Sequence, residues 1–188
     1  MKLLATLFGS GDLMIHLNFR SSPPEPPLTE GRVCNGTYTW RILDFPHLLQ
    51  DASDRKIASL ESPPIHTQLD GYKFCMRIYP NGINEGTGIY LALYVRLIPG
   101  EYDDVLDWPF TGRITLSILD VGTSDAAFRN HISGTFLAKP NLASFQKPIV
   151  ADVVNLYGYK NFAPIQLVCL PQHMKDNGTV MVKIEIRR

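Results

Sequence analysis

The stretch Gly71-Tyr72-Lys73-Phe74-Cys75-Met76-Arg77-Ile78-Tyr79-Pro80-Asn81-Gly82 decides the fold. Taken in twos, Tyr72, Phe74, Met76 and Ile78 point one way and Lys73, Cys75, Arg77 and Tyr79 the other. That alternation belongs to a half-buried β-strand and not to a helix of 3.6-residue period. The first set is large and apolar, and forms core. The second places a guanidinium and a phenol on an open sheet face, a combination that suits a carboxylate held by charge-assisted hydrogen bonds. Asn81 and Gly82 tolerate positive φ and predict a tight hairpin turn.

The same pattern recurs on either side. Residues 89–97 place Ile89, Leu91, Leu93, Val95 and Leu97 inward and Tyr90, Ala92, Tyr94 and Arg96 outward. Thr37 to Ile42 reads as a strand with Tyr38, Trp40 and Ile42 inside. Further strands are expected over 113–119, 132–137, 150–157, 165–170 and 180–186, separated by Pro, Gly and Asn. One short helix is expected from Asp44 and Pro46 to about Arg55, opened by an aspartate cap and by the fixed φ of proline. Many short strands with one helix predict an all-β, antiparallel sandwich, here of eight strands.

At 188 residues with 45% apolar side chains, the chain suits one domain with a sizeable core. Ser21 to Pro27 is proline-rich and separates residues 1–32, an extended N-terminal segment, from a folded domain over 33–188. Residues 3–8 form an apolar run at the short limit for a signal peptide, so an ordinary terminus is expected there. No run approaches the length that crosses a bilayer. Eighteen basic residues balance eighteen acidic ones, so no long-range field gathers nucleic acid or an anionic membrane, and neither is an expected partner. Cys34, Cys75 and Cys169 are odd in number and lack C-x-x-C spacing, which argues against a disulfide framework or a zinc site and for a reducing, cytoplasmic setting. None of the five histidines stands at a spacing that would make Cys75 a nucleophile, so neither an enzyme nor a cofactor is expected. Asn35-Gly36-Thr37 and Asn177-Gly178-Thr179 fit the glycosylation pattern but read better as turns.

Four segments together resemble one family. These are Thr39-Trp40-Arg41-Ile42 followed by Phe45; Ser62-Pro63-Pro64 leading to Gly71 through Tyr79; Gly100-Glu101-Tyr102-Asp103 with Trp108-Pro109-Phe110; and Phe145-Gln146 followed by Pro148. In this order and spacing they resemble the C-terminal TRAF domain, also called MATH, of the TNF receptor-associated factors. The segments around Gly100 and Lys139-Pro140 look closest to the type-six subtype. The resemblance implies an eight-stranded sandwich that binds short extended peptides of receptor or adaptor cytoplasmic tails in TNF-receptor and Toll-like signalling, and a homotrimer through the cap. It implies that Arg77 meets the aromatic or acidic end of a Pro-x-Glu-x-x-(aromatic or acidic) peptide, with Tyr157 and Tyr159 beside it. Tyr94 and Phe136 would wall the pocket for the peptide's proline, and the backbone around Leu142, Ala143 and Ser144 would hold its glutamate. Tyr79 is a type-two feature, so the groove mixes subtypes and its motif is expected to be broader than either.

The full-length relatives are RING ubiquitin ligases, whereas this sequence has no RING spacing, and its heptad pattern is interrupted at Gly9 and Gly11. A non-catalytic adaptor domain is therefore expected. The alternatives are a substrate-recognition MATH module of a ubiquitin-ligase adaptor, which would take a Ser/Thr-rich degron, and an extracellular sandwich of the meprin type. Pro23-Pro24-Glu25 carries Pro-x-Glu, but Leu28 stands where an acid or aromatic would be needed, so self-occupation is not expected.

Overall fold

A computed structural model describes residues 32–149 and 155–188. In chain order the elements are β1 (Arg32–Val33), β2 (Thr37–Ile42), α1 (Phe45–Ser53), β3 (Leu60–Glu61), β4 (Ile65–His66), β5 (Lys73–Tyr79), β6 (Tyr90–Leu97), β7 (Arg113–Ile118), β8 (Ile132–Leu137), β9 (Tyr157–Pro164), α2 (Ile165–Val168) and β10 (Val180–Arg187). They form a sandwich. One sheet runs β1-β4-β5-β6-β9 with β3 also on β5, and the other runs β2-β10-β7-β8. All pairs are antiparallel except β1 with β4. The proline-rich segment lies outside the described residues, as do 150–154 of the strand expected over 150–157.

The core is the sum of the alternations. Phe74, Met76 and Ile78 of β5 and Leu91, Leu93 and Val95 of β6 meet Ile114, Leu116 and Ile118 of β7 and Val180, Val182 and Ile184 of β10, all of them buried. A chain of aromatic rings then runs outward from this core. Phe110 packs on Tyr72 at 4.9 Å and Phe74 at 5.2 Å, and continues through Phe145 at 6.4 Å. Each such pair adds about 0.5–1.5 kcal/mol beyond its buried area. Trp108 lies edge-on to Tyr72 and donates its indole N–H to Asp103 O at 2.8 Å, so the Trp108-Pro109-Phe110 corner anchors the loop before β7.

Several expectations need correcting. The β5–β6 connection is no two-residue hairpin: Gly82 N–H closes a turn onto Tyr79 O at 3.0 Å, a 3₁₀ turn follows over Asn84–Gly86, and β6 begins only at Tyr90. Ile89, expected inward, is consequently 56% exposed. Residues 165–170 are not a strand, because Ile165–Val168 closes a helical turn after Pro164, with Ile165 and Val168 both buried three positions apart. A run of six apolar residues does not distinguish the two periods. The strand preceding it is Tyr157–Pro164, so the predicted strand ended where the real one starts. Asp44 precedes α1 in a left-handed conformation, and its side chain makes no capping bond. Instead the Phe45 N–H donates to Gly178 O at 2.8 Å. The two Asn-Gly pairs do make turns, with Thr37 N–H on Cys34 O at 2.9 Å and Gly178 N–H on Lys175 O at 2.8 Å. Among the described residues no helix is long and apolar enough to cross a membrane.

One buried carboxylate fastens the far loops. Asp120, 2% exposed, accepts from the Thr123 N–H and hydroxyl, the Asn130 N–H and the Gln172 side-chain amide at 2.8–2.9 Å. Burial opposes its charge, but these donors outweigh burial and hold the carboxyl well below the usual carboxylate range. A folded-state value below the unfolded one of about 3.9 gives stability that is fully present above about pH 5. It is lost as pH falls toward the folded value. Asp120→Asn turns an amide toward these donors, so its melting temperature should fall below wild type at pH 7. The acid limb of its melting-temperature profile should also be flatter, as read by circular dichroism melts.

Candidate functional site

Strand register decides which candidate residues share a face. Glu61 of β3 stands opposite Arg77 of β5, Arg77 opposite Tyr94 of β6, and Tyr94 opposite Gly158 of β9. Cross-strand partners point the same way, so this row lies on the outer face of the sheet, flanked by the pairs Tyr79–Ala92 and Cys75–Arg96. Tyr157 stands opposite Val95 and Tyr159 opposite Leu93, both of which are core residues. Tyr157 and Tyr159 therefore face inward, not outward as the alternation suggested. A shift of one residue in a strand's phase exchanges its faces.

The outer cluster is charged and tightly bonded. Arg77 Nη2 lies 2.7 Å and Arg77 Nε 2.9 Å from Glu61 Oε1. Arg96 Nε is 3.0 Å from the same oxygen, and Arg96 Nη2 donates to Oε2 at 3.0 Å. Burial works to discharge Arg77, but bonds to Tyr79 and Glu61 more than offset it and raise its pKa. Tyr79 and Tyr94 meet edge to face at 6.0 Å. Burial, and then Tyr79, push the Tyr94 phenol up, so it stays protonated and can donate. Cys75, expected outward, is 2% exposed, with Arg96 Nε 3.2 Å from its sulfur. Burial and then Glu61 raise its thiol pKa, which removes the thiolate that a nucleophile needs.

The inner cluster fills the open edge between the two sheets. Phe136 on β8 lies 4.8 Å from Tyr157 and 5.9 Å from Tyr159, and Phe145 lies 5.1 Å from Tyr157. The Tyr159 ring covers Gly134 of β8 so closely that a Cβ there would stand 2.6 Å from it, and its hydroxyl donates to Thr135 O at 2.9 Å. Burial, with Tyr157 beside it, keeps that phenol protonated. A 3₁₀ turn over Ala143–Phe145 adjoins this edge. Leu142 O accepts the Phe145 N–H at 3.0 Å, Ala143 O accepts the Gln146 N–H at 3.3 Å, and Ser144 Oγ donates to Leu156 O at 3.3 Å, just before β9. Ala143 and Ser144 also line a cleft of about 350 Å³ with Leu97, Gln146 and Lys147.

The structure thus brings Phe136, Tyr157, Tyr159 and the 142–144 turn together on one side of β9, and Arg77, Tyr79 and Tyr94 together on the other. Tyr94 and Phe136 do not share a wall. What joins the two groups is the rim itself, because β9 ends its sheet and, among the described residues, no strand pairs its outer side. Sequence reasoning passed over Glu61 and Arg96 as site residues. Arg96 was legible as an outward neighbour of Tyr94, but Glu61 sits on a strand too short to show any period.

The sequence profile of the TRAF/meprin MATH domain matches residues 57–183. Bovine TNF receptor-associated factor 6 is 35% identical over 160 residues, which is 84% of this chain and 29% of that protein. Mouse TNF receptor-associated factor 5 is 38% identical over 119 residues, covering 63% and 21%. Among solved structures, Notothenia coriiceps TRAF5 superposes with a TM-score of 0.77 at 32% identity, covering 86% of this chain and 77% of that one. The chain thus spans less than a third of the length of the curated relatives it matches.

Proposed function

The chain belongs to the TRAF/meprin MATH domain family, and from that membership we propose that it is a non-catalytic cytoplasmic adaptor domain binding short Pro-x-Glu-type peptides of receptor or adaptor tails. The observation that carries this reading is the free rim of β9, with an aromatic cluster on its inner side and an arginine-tyrosine row on its outer side. An extended peptide adds to such an edge through main-chain hydrogen bonds, and its side chains then point alternately to the two faces. Inward ones meet Phe136, Tyr157 and Tyr159. Outward ones cross Gly158, which has no side chain to block them, toward Tyr94, Tyr79 and Arg77. Leu142, Ala143 and Ser144 border the inner side, where the peptide's glutamate would be held.

Spacing supports a large residue at the outward position. A strand added beyond β9 stands three inter-strand steps from Arg77, roughly 14 Å at about 4.8 Å each. A long guanidinium arm and a peptide aromatic together span that distance, with the ring lying over Gly158 and against Tyr94. The guanidinium can then stack on the ring face.

The test is a titration of the full chain with a labelled Pro-x-Glu-x-x-aromatic peptide and its Glu→Ala counterpart. Saturable binding lost with the glutamate is expected; equal affinity for both, or preference for a Ser/Thr-rich peptide, would favour the degron reading. Arg77→Ala should weaken the aromatic-ended peptide by about 1–3 kcal/mol, the scale of a lost bond to a charged group. Its melting should change by less than about 1 kcal/mol, since Glu61 keeps both contacts from Arg96 and the cluster is partly solvated. An unchanged affinity in a folded variant would remove Arg77 from the groove.

A further inference from the structure

Two guanidinium groups share one carboxylate on the outer face. Glu61 Oε1 takes both Arg77 contacts and one from Arg96, and Oε2 takes the other Arg96 contact, all within 2.7–3.0 Å. The side chain of Glu61 is 32% exposed, against 19% for Arg77 and 14% for Arg96, so the carboxylate is the most open of the three. Its backbone is fixed. Ser62 N–H donates to Met76 O at 2.9 Å, and Met76 N–H donates to Ser62 Oγ at 2.9 Å. Any adjustment to a ligand must therefore come from the Glu61 side chain, which can rotate without disturbing the core beneath β5.

We propose that Arg77 and Arg96 form a two-cation seat whose resident anion is Glu61, and that Glu61 sets the groove's preference at the outward end of the peptide, favouring an uncharged aromatic and disfavouring a carboxylate. This rests on the groove reading above. An aromatic ring stacks on a guanidinium without displacing the carboxylate that holds it. A peptide carboxylate either shares the two arginines with a like charge a few ångströms away or displaces it, and both routes cost affinity. Glu61 is thus a repulsive element that discriminates between two classes of ligand. Arg96 matters because it leaves the trio with one net positive charge. With Arg77 alone on Glu61 the seat would be neutral and the bias against acids stronger.

The test titrates the full chain, wild type, Glu61→Gln and Arg96→Gln, with two labelled peptides identical except for a terminal recognised residue of Phe or Glu. Wild type should bind the Phe-ended peptide more tightly. Glu61→Gln should improve the Glu-ended peptide about tenfold, the scale of one removed like charge in a partly exposed site, while the Phe-ended one moves by less than about twofold. That gain should shrink at high salt. Arg96→Gln should shift the ratio the opposite way, which keeps the proposal testable if Glu61→Gln melts early. Peptides that bind wild type with a ratio unaltered by either variant would overturn the role of Glu61 and leave the groove standing. If wild type binds neither peptide, the groove reading itself fails and this proposal goes with it.

Discussion

Phe145→Ala is expected to lower the unfolding free energy by about 3–5 kcal/mol, the range for deleting a buried phenylalanine, and to abolish peptide binding where the fold survives. Phe145 is 1% exposed and touches Phe110 on the core side and Phe136 and Tyr157 on the rim side. Its backbone is tied as well. Phe110 N–H donates to Phe145 O at 2.8 Å, so the Trp108-Pro109-Phe110 corner and the 142–144 turn are one assembly. Removing the ring leaves a cavity between these parts and frees Tyr157 to leave the edge. Equilibrium urea unfolding would read the stability loss, and the peptide titration the function. A loss of stability below about 1 kcal/mol would mean that the neighbouring rings collapse into the space, contrary to the close packing expected of such a core.

The second large effect concerns Gly158. A Cβ there would stand 2.4 Å from Leu93 O and 2.7 Å from Tyr94 Cα, both backbone atoms of β6 that cannot turn aside. Gly158→Ala must therefore push β9 off β6, the pairing that places the free rim, at a cost of about 1–3 kcal/mol or more, as for overpacking in general. Peptide affinity should fall by about tenfold or more, because main-chain pairing depends on a straight, correctly placed edge. Lys160→Ala on the same strand is the control: it is exposed and should stay within about 0.5 kcal/mol of wild type. If Gly158→Ala bound peptide like wild type, β9 would not be the edge to which the peptide adds.

The two variants mark how unevenly the site was legible. Arg77, Tyr79 and Tyr94 were placed on an open face by alternation alone, and they share one. Tyr157 and Tyr159 were also read as outward, yet they face inward, because β9 starts where a strand had been expected to stop. Cys75 and Ala92 lie on the outer side of the sheet and are nonetheless buried, each covered by longer neighbours across the strand. Phe136 and Tyr94, joined by resemblance in one pocket, lie on opposite sides of the β9 rim.

By itself the sequence determined the class of fold, most of the strands, the core faces of β5, β6, β7 and β10, and the family, because alternation and turn residues are local and act within a few positions of one another. Only the tertiary structure decided that Ile165–Val168 is helical, that Tyr157 and Tyr159 close the gap between two sheets, and that Arg77 shares Glu61 with Arg96. Those facts depend on register between strands distant in the chain. Glu61 and Arg96 are 35 residues apart, and no periodicity read along one strand carries the phase of another.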